Sequence, residues 1–109
     1  MLITDKQIYN LNIEDGVYHF KVTSVSIETE PKHLLKVNTI LFLLDNKQTH
    51  YTIYFNLRLQ NNVRLINFLH SIGVKKEYEP YLLNTKDFIN KIGIARIQNN
   101  YPVNFIYQP

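Results

Sequence analysis

Arg64-Leu65-Ile66-Asn67-Phe68-Leu69-His70-Ser71-Ile72-Gly73 is the stretch on which the fold turns. Leu65, Ile66, Leu69 and Ile72 recur at helical spacing, Asn61 or Asn62 can cap the start, and Gly73 stands where a C′ glycine would end the helix. The spacing predicts a helix from Asn61 to Ile72. The strong patterns on either side of it have period two instead, so one helix is set into a run of strands.

Upstream, Glu14-Asp15-Gly16 is a turn signal closing a lead-in over residues 1–15. Val17 to Val22 then alternates, with Tyr18, Phe20 and Val22 on one face and His19 and Lys21 on the other. The alternation changes phase across Thr23-Ser24 before Val25 and Ile27, which predicts a bulge in one long strand. A second strand is expected over residues 34–44 and a third over 48–57, joined through Asp45-Asn46-Lys47. In the third, Tyr51, Ile53, Phe55 and Leu57 alternate against His50, Thr52, Tyr54 and Asn56. Ile40, Phe42 and Leu44 break the two-sided pattern, so the far half of the second strand is expected to be covered by the helix or by another subunit. Downstream, short helical turns over residues 81–89 precede two last strands around Ile92, Ile94 and Val103, Phe105, Tyr107, joined at Gln98-Asn99-Asn100. Pro102 favours an edge or strand-start position. Five main strands with the helix between the third and fourth give an all-β fold with one intercalated α-helix, in the order of a five-stranded OB-fold barrel.

The chain has 109 residues, 45% of them hydrophobic and 13% aromatic, enough for one domain over residues 1–109 with its core in about 16–107. Twelve Lys and Arg against nine Asp and Glu give a net charge of +3, which permits phosphate binding but is far from polybasic. Cysteine is absent, which excludes disulfides, thiolate nucleophiles and Cys-based zinc sites. No basic region followed by an apolar core opens the chain, and no window has the length of a membrane span, so neither a secretion signal nor a membrane anchor is expected. Thirteen asparagines, many at turn positions, supply residues that tolerate turn conformations.

Enzyme motifs are missing: there is no Gly-rich phosphate loop, no His-Glu-x-x-His and no Gly-x-Ser-x-Gly elbow. The four histidines are far apart in sequence and mark no metal site, so neither a cofactor nor a metal is expected. The basic residues carry more. Lys21, Lys36 and Arg58 fall on the polar side of the first three strands or at their ends, Lys32 and Lys47 lie in adjoining loops, and Arg96 belongs to the fourth strand. Together they can follow a phosphate backbone across one face. Tyr54 shares the parity of His50, Asn56 and Arg58 and is the candidate for stacking a base. Tyr51 and Phe55, on the opposite parity, are assigned to the core or to contacts with the helix. Ordinary solvated strand surface is the alternative for any one of these cations.

The order of Gly16-Val17-Tyr18-His19-Phe20-Lys21-Val22, the hairpin strand Tyr51-Thr52-Ile53-Tyr54-Phe55-Asn56-Leu57, the helix ending His70-Ser71-Ile72-Gly73, and Phe88-Ile89-Asn90-Lys91-Ile92-Gly93 resembles small OB-fold single-stranded DNA-binding proteins of bacteriophages and mobile elements of Gram-positive bacteria. The resemblance spans about residues 16–107. It implies sequence-nonspecific binding and protection of single-stranded DNA in phage or mobile-element replication and recombination, in the cytoplasm of a bacterial host. It also implies assembly as a homodimer or homotetramer, and work alongside phage replication or recombination proteins. One departure is that the chain ends Val103-Asn104-Phe105-Ile106-Tyr107-Gln108-Pro109 without the acidic tail many such proteins use for recruitment. The competing expectation is a protein-interaction module, such as a phage accessory or assembly protein on a small β-barrel, motivated by Ile40, Phe42 and Leu44.

Overall fold

Period-two alternation builds the five strands of one sheet, and a helix over Val63–Ser71 packs on its apolar side against the last two strands. The computed structural model describes residues 13–28, 33–57, 63–74 and 85–106. The elements are β1 (Gly16–Glu28), β2 (Leu34–Phe42), β3 (Gln48–Asn56), α1 (Val63–Ser71), β4 (Ile92–Gln98) and β5 (Tyr101–Ile106). All neighbouring strands run antiparallel in the order β3-β2-β1-β4-β5. The register of β1 against β2 slips between Val22 and Ser24, where the sequence changes phase. This bulge keeps the apolar parity on one side of a strand long enough to serve two neighbours.

The five strands do not close into a barrel, which corrects the OB-fold expectation: the sheet is open, and no ladder joins β3 to β5 among the described residues. Side chains span these two edges instead. Arg64, in the first turn of α1, donates from Nε to Pro102 O at 2.8 Å on β5 and from a terminal nitrogen to Tyr54 O at 2.7 Å on β3. The Tyr51 hydroxyl donates to Asn100 O at 3.3 Å, just before β5. Pro102 has no N–H to offer a neighbouring strand. The Arg64 guanidinium also lies 4.6 Å from the Phe55 ring centroid, 4.8 Å from that of Tyr101 and 5.7 Å from that of Phe105. Burial pulls its pKa below the ordinary value, while Tyr101 and Tyr51 act in the opposite direction.

The core gathers Phe20, Val22, Leu35, Val37, Leu41, Tyr51, Ile53 and Phe55 from the first three strands against Leu65, Phe68 and Leu69 of α1 and Phe105 of β5. Phe68 is central, with ring centroids 4.9 Å from Phe55, 5.2 Å from Phe105 and 5.8 Å from Phe20. Helix α1 ends as its glycine predicts. Gly73 has φ +83, its N–H donates to His70 O at 3.1 Å, and Val74 N–H donates to Leu69 O at 2.8 Å, the two bonds of a Schellman motif. Buried Ser71 ties the same end to β4: Ile94 N–H donates to its Oγ at 2.9 Å. That approach needs the glycine next door, since a Cβ on Gly93 would stand 2.5 Å from Phe20 Cζ and 2.7 Å from Ser71 Oγ.

The turns draw on Asn and Asp. Asp45 and Asn46 after β2, Asn90 before β4, and Asn99 and Asn100 between β4 and β5 all have positive φ. This is the left-handed region that short polar side chains tolerate best among non-glycine residues, and two successive such residues suit a tight hairpin. Strand β2 stops at Phe42, short of the predicted residue 44, because a 3-10 turn over Leu44–Asn46 begins there.

Candidate nucleic-acid interface

The core claims one parity of each strand, leaving the other on an outer face whose rows follow from the register. One row runs Tyr54–Lys36–Ser26 across β3, β2 and β1; the next is Thr52–Asn38–Ser24. A third is His50–Ile40–Lys21–Ile92, reaching β4, and a further one holds Val17 and Arg96, whose β5 partner Asn104 turns its side chain to α1, accepting from Asn67 Nδ2 at 2.9 Å. Four of the predicted site residues, Lys21, Lys36, Tyr54 and Arg96, therefore share this face.

The three cations lie on a diagonal. From Lys36 the path goes four residues along β2 to Ile40, then across to Lys21; from Lys21 it goes four residues along β1 to Val17, then across to Arg96. Each step is the same, about 14 Å at normal strand rise and spacing. Along one strand of a duplex, phosphates rise about 3.4 Å per nucleotide, so a strand drawn out to about twice that rise would bring every second phosphate to a cation. Tyr54 stands directly across from Lys36, half-buried, beside the start of the diagonal. Its main-chain carbonyl is held by Arg64, which fixes β3 at that point.

Between Lys36 and Lys21 the surface is braced. Asn38 Nδ2 donates to Ser24 Oγ at 2.8 Å, Thr52 Oγ1 donates to Asn38 Oδ1 at 3.0 Å, and Thr23 Oγ1 donates to Asn38 O at 3.1 Å. These bonds tie β3, β2 and β1 together at the bulge, so the cations on either side are carried by a stiff platform. Among the described residues the outer parity holds one acid, Glu28, at the far end of β1 opposite Leu34. Glu14, Asp15, Asp45 and Asp87 lie outside the strands. The face thus concentrates positive charge that a net +3 conceals.

The remaining predicted residues do not join this set. Lys47 follows the 3-10 turn at the opposite end of the β2–β3 hairpin, where its N–H donates to Leu44 O. It lines a separate cleft of about 320 Å³ with Ile13, Tyr18, Leu43 and Leu44. Lys32 and Arg58 lie outside the described residues. Helix α1 packs on β5 and β4 from the core side, while half-buried Ile40 and exposed Phe42 stand on the opposite parity of β2 and exposed Leu44 belongs to the turn, so the helix does not provide the cover expected for these three residues. Sequence reasoning gave no role to His19, Asn38, Ile92 or Val17 on this face; their shared parity with Lys21 and Lys36 was the signal that could have found them.

Among the described residues no three His, Asp or Glu side chains converge to hold a metal ion, and no helix is long and apolar enough to cross a membrane. The sequence matches no protein-family model and no curated protein.

Proposed function

We propose that the outer face binds single-stranded DNA without reading its sequence. The observation that carries this is the evenly stepped diagonal Lys36–Lys21–Arg96, with Tyr54 beside its first member. Cations at regular intervals suit a repeating phosphate chain, and a tyrosine next to them offers a π-face that any base can use. In this reading the chain is a binding module, not an enzyme, and needs no cofactor. The sequence resemblance supports a setting in phage or mobile-element DNA replication and recombination within a bacterial cell, where single strands need protection.

The test is fluorescence anisotropy with a labelled single strand of about 30 nucleotides, duplex of the same sequence as competitor, and Tyr54→Ala beside the parent. Single strands are expected to bind in preference to duplex, with Tyr54→Ala weakening binding by about 1–3 kcal/mol. Absence of binding at low salt, or equal affinity for duplex, contradicts the proposal.

A second reading has one observation in its favour. Val17 is 54% exposed and Ile92 57%, and both interrupt the cationic rows with apolar surface. A protein partner could use that mixed surface, and a salt-insensitive complex with another protein in the absence of DNA affinity would support it.

A further inference from the structure

The cationic diagonal has a residue of the outer parity halfway along each of its steps. Between Lys36 and Lys21 it is Asn38, two residues along β2 from Lys36. Between Lys21 and Arg96 it is His19, two residues along β1 from Lys21. The line then runs Lys36–Asn38–Lys21–His19–Arg96, in backbone steps of alternately about 7 and about 8 Å. That is close to the phosphate spacing of a strand drawn out to about twice the duplex rise, so the phosphates that fall between the cations come to Asn38 and His19.

These two residues differ in what they can offer. Asn38 commits its amide within the sheet, donating to Ser24 Oγ and accepting from Thr52 Oγ1. His19 is exposed, and its ring makes no hydrogen bond or ion pair with another described residue. Lys21 is its charged neighbour along β1 and Arg96 its diagonal neighbour on β4, while β2 meets it with Ile40 and Phe42. No described carboxylate faces it. Glu28 stands at the far end of β1, and Asp15 accepts from Asn99 N–H at 2.9 Å at the β4–β5 turn. Glu14, Asp45 and Lys47 line the cleft beside Tyr18, on the other parity. Lys86 and Asp87 belong to the 3-10 turn Thr85–Phe88, whose Phe88 enters the core. Among the described residues, then, nothing supplies an anion to hold a proton on this ring, and a ligand phosphate would.

We propose, resting on the DNA-binding reading, that His19 contacts the phosphate between those held by Lys21 and Arg96, and does so as imidazolium, so that binding of single-stranded DNA takes up a proton. An imidazole changes charge between about pH 5 and 8, whereas phosphodiesters, lysine and arginine keep theirs throughout that range. A phosphate against the ring favours its charged form, so affinity rises as pH falls through this window and is lost again as pH rises. His50 is the internal comparison. It is exposed on the same face, in the row of Lys21, but two strands away on β3 and about 9 Å to the side of the line.

Fluorescence anisotropy with a labelled single strand of about 30 nucleotides, at about pH 8 and about pH 5.5 and over a salt series at each, tests this in the parent, His19→Gln and His50→Gln. Glutamine keeps a neutral N–H donor but cannot take up a proton. The parent is expected to bind roughly three- to fivefold tighter at the lower pH, the scale of one exposed charge contact, with a salt slope steeper by about 0.7. His19→Gln should lose most of that gain and the added slope, and His50→Gln should keep both, with unchanged circular dichroism spectra at both pH values. A parent that binds equally at the two pH values, or a His19→Gln variant that gains as much as the parent, overturns the inference. Equal losses in His19→Gln and His50→Gln overturn it too, since overall charge and not the line would then be responsible. Each of these results leaves the DNA-binding reading standing, whereas absence of single-strand binding at both pH values defeats that reading and this inference together.

Discussion

The Tyr51 hydroxyl sits in the core with Asn100 O as acceptor, and burial raises its pKa well above the ordinary 10.0, Arg64 opposing the shift. In the unfolded chain the phenol ionises near the ordinary value, whereas in the fold it stays protonated. Its contribution to stability is therefore complete below about pH 10 and falls above it, by up to about 1.4 kcal/mol per pH unit. Urea midpoints measured from about pH 8 to about pH 11 should drop more steeply for the parent than for Tyr51→Phe; parallel profiles would show that Tyr51 is not the group responsible. Parity alone separated this tyrosine from Tyr54, because strand alternation says which side a residue faces. Alternation is silent about the partner of a buried hydroxyl, so the bond to Asn100, 49 positions away, was not legible. Arg64 was hidden for the same reason: as a polar residue in a helix it reads as solvated, yet it reaches two carbonyls on different strands.

Between elements, that arginine holds the facing edges of β3 and β5. Arg64→Met keeps much of the apolar stem but leaves Tyr54 O and Pro102 O without their donor and removes the charge from the Phe55 ring. It should cost about 2–4 kcal/mol in urea unfolding, with Arg64→Lys recovering only part because an ammonium cannot reproduce the fork. A change below about 0.5 kcal/mol would show that the edges are held otherwise. The bulge at Thr23-Ser24, the β4–β5 turn at Asn99-Asn100 and the glycine stop after α1 were all visible in sequence, since each depends on local conformational preference. Barrel closure was not. Whether two edges separated by the whole width of a sheet meet depends on accumulated twist and on what spans them, and here the side chains of Arg64 and Tyr51 do so.

Across the whole molecule, the candidate site is a property of register. Lys21, Lys36 and Arg96 are spread over much of the chain, and each alone is an ordinary strand cation. Two ladders with fixed offsets turn them into one line of equal steps. Membership of the face was legible from parity, while the diagonal required the pairing offsets, including the residue inserted at the bulge. Lys47 shows where parity stops helping, because a hairpin turn can carry its side chain away from the face its strands build.

The cationic diagonal is tested most sharply by the slope of log affinity against log salt for single-stranded DNA, in the parent and in the Lys21→Ala/Lys36→Ala/Arg96→Ala variant. Each phosphate of a single strand that is no longer neutralised flattens the slope by about 0.7, so the triple variant should be flatter by about 2 with the fold intact. An unchanged slope would mean that these three cations touch no phosphate, and the proposed face would be wrong.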